Sequence, residues 1–175
     1  RDSLIASLGL KPMGTVIHPE FPAVALIQES VPKHPVRVYQ GEEMGVFISE
    51  IQFPQASDFQ FGNTVLEWFQ KGGFDRLVII DGLVSEDLGL KEDGDIWGVA
   101  SLQSGRDALD TVGIQRIQQG IVTGVSGFLL AEGERQGLDI TVLLAECNPV
   151  YPDARAALIA VSYTHLTLPT IRLVW

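Results

Sequence analysis

Short runs of apolar residues broken by prolines, glycines and charged clusters divide the chain into brief strands and a few helices. Residues 13–18 and 23–28 are apolar runs separated by HPEFP, whose two prolines interrupt a continuous ladder, so two strands are expected. In VPKHPVRVYQ, Val36 and Val38 alternate with Arg37 and Tyr39, the pattern of a strand with one wetter face, and GEE marks the turn after it. MGVFISEI then reads as a buried strand. Ser57 or Asp58 caps a helix through about Lys71, with Phe61, Val65, Leu66, Trp68 and Phe69 as its apolar stripe and Gly72–Gly73 closing it.

RLVII at 76–80 is continuously apolar and β-branched, which predicts a central strand covered on both faces. A polar excursion, SEDLGLKEDGD, precedes a strand in IWGVAS and a short helix in SGRDALDTVG. The segment GIVTGVSG leads into a helix over FLLAEGERQG, followed by the strand DITVLLAE and a helix beginning near Asp153. This alternation predicts a layered α/β fold with a mixed, mostly parallel sheet.

Both ends break the pattern. SLIASLGLK puts Leu4, Ile5 and Leu8 on one side of a helix already under way, so its start is expected upstream of Arg1. SYTHLTLPTIRLVW replaces a helical pattern with Thr, Leu and Pro without a capping signal, and it resembles translated sequencing-adapter sequence. The expected organisation is a single α/β domain over 1–161, truncated at both ends, and a non-native, dispensable tail at 162–175. The alternative for the tail is a genuine strand at 164–168 ended by Pro169.

Composition narrows the function classes. A chain of 175 residues with 46% hydrophobic and 19% charged residues is long enough for one packed domain. Its formal charge of −10 and the lack of any Lys/Arg run argue against nucleic acid and anionic membrane as partners. No apolar run reaches the ~20 residues of a bilayer span. The single cysteine, Cys147, forms no internal disulfide and has no zinc-ligand spacing around it, so a reducing, cytoplasmic setting is expected.

Candidate chemistry is sparse. Gly120, Thr123, Gly124, Ser126 and Gly127 form a glycine-rich turn between a strand and a helix whose N–H groups could hold an anion, with Thr123 and Ser126 as caps. It lacks the lysine ending of a P-loop and the GxGxxG spacing, and a tight turn that lets the helix pack closely is the simpler reading. Glu50, Asp81 and Glu146 follow strands, where α/β folds place ligand crevices, and three carboxylates could bind a metal or move protons if they met. Caps, ion pairs and solvated edges are the alternative. Lys33, His34, Arg37 and Tyr39 are the one basic and aromatic concentration, and Arg37 could recognise a carboxylate or phosphate, although a solvated strand face is commoner. His18 and His34 sit beside prolines in loops without partners at a telling spacing. Cys147 reads as an inert thiol, and Trp68 and Trp97 as core residues. No metal site or cofactor is expected, nor is a Ser-His-Asp or HExxH arrangement present.

The ordered segments FPAVALIQESVPKHPVRVY, GVFISEI, IWGVAS, GIVTGVSGFLLAEGERQG and LLAECNPVYPDARAA together resemble the archaeal proteasome assembly chaperone family over nearly all of residues 11–160. The resemblance implies an α/β sandwich similar to nucleoside phosphorylases, self-association, and a non-catalytic role as an assembly chaperone or adaptor binding proteasome core-particle subunits. Members have also been described as ATP- or nucleotide-linked carboligases, which stands as the alternative, with a small-molecule-binding module as a third. The chain departs from the family in lacking its opening strand and glycine-rich turn. The ending LVW also differs from the hydrophobic-Tyr-X tail of proteasome-binding members.

Overall fold

A computed structural model describes residues 5–6, 9–83, 96–146 and 170–174. The excursion at 85–95, Cys147, the helix near Asp153 and the alternative strand at 164–168 lie outside the described residues, as do Leu4 and Leu8. In chain order the elements are β1 (Lys11–Thr15), β2 (Leu26–Gln28), β3 (Val31–Lys33), β4 (Val36–Gln40), β5 (Met44–Ser49), a 3-10 turn (Gln55–Ser57) and α1 (Asp58–Lys71). They continue with β6 (Arg76–Leu83), β7 (Ile96–Ala100), α2 (Gln103–Thr111), β8 (Gln115–Arg116), α3 (Gly124–Gln136), β9 (Asp139–Glu146) and β10 (Thr170–Val174).

Eight strands form one sheet in the order β1-β4-β5-β10-β6-β9-β7-β8, and β2 and β3 form a separate hairpin. Four of the seven neighbouring pairs are parallel, which makes the sheet mixed and mostly parallel. Two helices, α1 and α3, cover one face through Phe61, Val65, Phe69, Val125 and Leu129, which pack on Phe47, Leu77, Ile79, Ile140 and Val142. On the other face Leu109 of α2 packs on Val78, Ile80 and Leu143. The result is a three-layer arrangement in which both faces of β6 and β9 are dry. RLVII behaves as its unbroken apolar pattern demands: β6 pairs on both edges, and Leu77, Val78 and Ile79 are fully buried.

Two expectations change. VPKHPVRVYQ is two strands, because Pro35 follows His34 between β3 and β4, and β4 has no wet face: Val36, Arg37, Val38 and Tyr39 are all buried. Tyr39 joins Leu10, Val46 and Ile48 in a small apolar cluster there, and Arg37 is neutralised within the fold. The α3 helix starts earlier than FLLAEGERQG, taking in Gly124–Gly127 as its first turn. Thr170–Val174 form β10, an inner strand that pairs in parallel with Met44–Ile48 and with Arg76–Ile80.

Candidate functional site

The strands β5, β6 and β9 run in the same direction, so their C-terminal ends share one edge of the sheet, and β4, antiparallel to β5, begins there. Glu50, Asp81, Glu146 and Arg37 therefore lie along a single edge, as their places in the sequence suggest. Edge position alone does not bring them together. Asp81 is on β6 beyond Ile80, and β10 lies between β5 and β6, so Glu50 and Asp81 are two strand spacings apart, about 9–10 Å.

They also face opposite ways. Side chains alternate along a strand, and in β4 the residues Val36 and Val38 belong to the core beneath α1 and α3, so Arg37 projects to the other face. Glu50 meets it there: Arg37 Nη2 donates to Glu50 Oε1 at 2.9 Å. Arg37 Nη1 donates to the His34 carbonyl at 2.8 Å and Nε to Tyr39 Oη at 3.1 Å. Gln28 Nε2 of the β2–β3 hairpin donates to the same Glu50 oxygen at 3.3 Å. Burial opposes the guanidinium's charge, but the bonds to Tyr39 and Glu50 outweigh it and hold its pKa above the ordinary value. Arg37 and Glu50, chosen separately from the sequence, are thus each other's partners and fasten the hairpin to the sheet.

Asp81 turns to the α1–α3 face. Ser126, fully buried in the first turn of α3, donates through Oγ to Asp81 Oδ2 at 2.7 Å, and Asp81 Oδ1 accepts from the Gly82 N–H at 2.8 Å. Thr123 occupies the N-cap position with an extended backbone but makes no side-chain cap bond, so Ser126 acts as a tie to β6 where a cap was expected. Gly124 has φ +71°, and a Cβ there would lie 4.0 Å from Asp58 Oδ2. Burial pushes the Asp58 carboxyl up from its ordinary pKa. At Gly127 a Cβ would fall 2.1 Å from the Val122 carbonyl oxygen, an approach that only glycine permits. Gly120 stays in the loop before the helix. The N-terminus of α3 thus has two carboxylates near it, Asp58 and Asp81, and both are acceptors that suit its free N–H groups and partial positive charge.

The remaining candidates disperse. His18 packs its ring on Phe21, with 5.4 Å between centroids, its Nδ1 accepts from the Glu20 N–H at 3.1 Å, and Nε2 pairs with Gln60 of α1. His34 contributes its carbonyl to Arg37, and Lys33 ends β3. Trp68 lies edge-on to Phe47 at 4.5 Å, and Trp97 packs against the larger core. Among the described residues no group of three His, Cys, Asp or Glu side chains is placed to hold a metal ion, and no helix is long and apolar enough to cross a membrane. Sequence reasoning passed over one feature, an open depression of about 330 Å³ between β7 and α3, lined by Val99, Ser101, Arg106, Leu130 and Glu134 among others. Its residues come from three elements, and no spacing in the sequence links them.

The whole-chain comparisons agree with this architecture. PbaA of Pyrococcus furiosus, an archaeal homolog of proteasome-assembly chaperone, superposes with a TM-score of 0.80 at 26% identity, covering 94% of this chain and 68% of that one. PbaB of the same organism, an archaeal proteasome activator, gives 0.68 at 20% identity over 93% and 74% of the two chains. A proteasome-assembly chaperone homologue of Mycobacterium tuberculosis gives 0.63 at 15% identity over 94% and 75%. The last two show the fold alone. No curated protein matches the sequence. The PAC2 family profile matches residues 1–173, so the chain belongs to the PAC2 family.

Proposed function

We propose that this protein is a non-catalytic assembly chaperone or adaptor that acts on the proteasome core particle. The observation that carries this reading is the PAC2 match over 1–173 together with the superposition on PbaA across 94% of the chain. The site chemistry is in keeping with it. A nucleotide-linked enzyme needs cations or free N–H groups for phosphate, yet Arg37 is bonded to Glu50, and the α3 N-terminus has Asp81 and Asp58 beside it. The proposed partners are core-particle subunits and further copies of this chain.

Immobilised protein incubated with archaeal core-particle α subunits should retain them or shift their assembly intermediates on native gels, and failure to alter any proteasome species overturns the reading. Sedimentation of the free protein reads self-association in the same preparation. The carboligase alternative requires thermal stabilisation by millimolar ATP with magnesium, and no such shift is expected. The depression beside Arg106 and Glu134 favours the third reading, a small-molecule module, and a ligand-library melting screen addresses it.

A further inference from the structure

The α1–α3 layer thins out over β7. Val99 registers with Val142, so its side chain shares the face those helices cover, yet Val99 is only half-buried where Val142 is dry. Among the described residues β8 pairs only with Trp97 and Gly98, which leaves the end of β7 without a neighbouring strand. The depression of about 330 Å³ lies there. Its α3 wall is a helical stripe: Gly127, Leu130, Ala131 and Glu134 recur three or four positions apart and so share one face. Val122 and Leu130 pack against the core and are only partly buried, so the lining offers apolar surface that solvent still reaches.

Two opposite charges line this surface without meeting. Arg106 comes from α2, and its Nη1 donates to the carbonyls of Ala100 at 3.0 Å and Ser101 at 3.3 Å while Nε donates to Gln103 Oε1 at 3.3 Å. Those bonds fix the guanidinium, and the two N–H groups of Nη2 have no partner among the described residues. Glu134 is exposed and makes no ion pair among them, the neighbouring Arg135 being held by Glu132 at 2.7 Å. Nor do Arg106 and Glu134 pair with each other. An anion alone would meet Glu134 and the field of a chain charged −10, and a cation alone would meet Arg106. A ligand carrying both charges suits both groups.

We propose that this depression binds a small zwitterion with an apolar body, the chemistry of a free apolar amino acid or a short apolar peptide with both ends unblocked. Its carboxylate accepts from Arg106 Nη2, its ammonium donates to Glu134, and its apolar part lies on Val99, Val122 and Leu130. The volume stands at the lower end of the range for ligand sites, which suits a molecule of that size. Nothing in this assignment depends on proteasome binding, so the two readings fail separately.

Titration calorimetry of the full chain with leucine and with leucyl-leucine distinguishes the two sources, and at least one should bind, one molecule per chain, with Kd below about 1 mM. Blocking either charge of that ligand, by N-acetylation or by C-terminal amidation, should weaken it about tenfold or more, since each removes a charge-assisted bond. Glu134→Lys, at an exposed position, should reverse the first preference, so that the N-acetylated ligand binds at least as tightly as the free one. Arg106→Met should bind the free and amidated ligands alike. If that variant does not fold, Ala131→Trp, which fills the depression from an exposed helical position, replaces it and should abolish binding with the melting temperature unchanged. No binding of either ligand to the wild-type chain, indifference to either blocking group, or unchanged binding in the variants overturns the site.

Discussion

Arg37 shows what single residues reveal and what they hide. Its alternation with valines in β4 reads as a solvated face, and Glu50 reads separately as a strand-end carboxylate, because nothing in the sequence states that two residues 13 apart meet. Both side chains are largely buried, at 9% and 15% exposure, which changes the expected energetics. Removing one member leaves the other charged and without its partner, so Arg37→Met or Glu50→Leu alone should cost about 3–5 kcal/mol, whereas the two together should cost far less than the sum of the single changes. Urea denaturation of the four members of that cycle measures the coupling, and additive effects would mean that solvent already screens the pair. At the glycine turn the same scale separates packing from binding. Gly127→Ala must displace the Val122 carbonyl and should cost about 1–3 kcal/mol or more, and Ser126→Ala should lose about 1.5–3 kcal/mol with its bond to the Asp81 carboxylate. Titration calorimetry with phosphate and ATP should detect no binding to wild type. Binding that disappears in Ser126→Ala would return the turn to the anion-site reading.

Secondary elements were legible wherever period and punctuation agreed. The α1 helix runs from Asp58 to Lys71 as its apolar stripe and closing glycines indicate, and β5, β6, β7 and β9 fall on their apolar runs. The boundaries that moved did so for local reasons. Pro35 divides one expected strand into β3 and β4. Gly124–Gly127 looked like a loop because glycines usually mark turns, but here they form a helical first turn that packs against its own approach segment. The β2–β3 hairpin turns through Glu29 and Ser30, both at positive φ, without the glycine or asparagine that would have announced it. The central placement of β6 followed directly from its lack of alternation, and it supports a quantitative expectation. Ile79 is fully buried between β9 and β10, so Ile79→Ala should lower stability by about 2–5 kcal/mol in chemical denaturation. A loss below about 1 kcal/mol would mean that the strand's faces are not packed as described.

At the scale of the molecule, the layered α/β architecture follows from the order of strands and helices, but the joining of its two halves does not. The β1-β4-β5 side and the β6-β9-β7-β8 side are bridged in the sheet by β10 and across one face by α1 and α3. No local pattern could assign residues 170–174 to that role, since their partners lie about 90 to 130 residues earlier and the intervening TLP reads as an ending. The expectation that the tail is dispensable and the inner placement of β10 make opposite predictions about a chain ending at 161. If the sheet needs an occupant between β5 and β6, the shortened chain has two unpaired interior edges, and α1 and α3 alone hold the halves together. Its melting should then broaden or split, ANS fluorescence should rise as dry surface opens, and those amides of Gly45–Ile48 and Leu77–Ile80 that are directed at β10 should lose protection relative to the full chain. Because β9 still pairs with β6 along its whole length, amides bonded across that ladder should be the last to exchange. A chain ending at 161 that melts in one transition at the full-length temperature, with β5 and β6 equally protected, would show that the halves close on each other without β10 and that residues 162–175 contribute nothing to the fold.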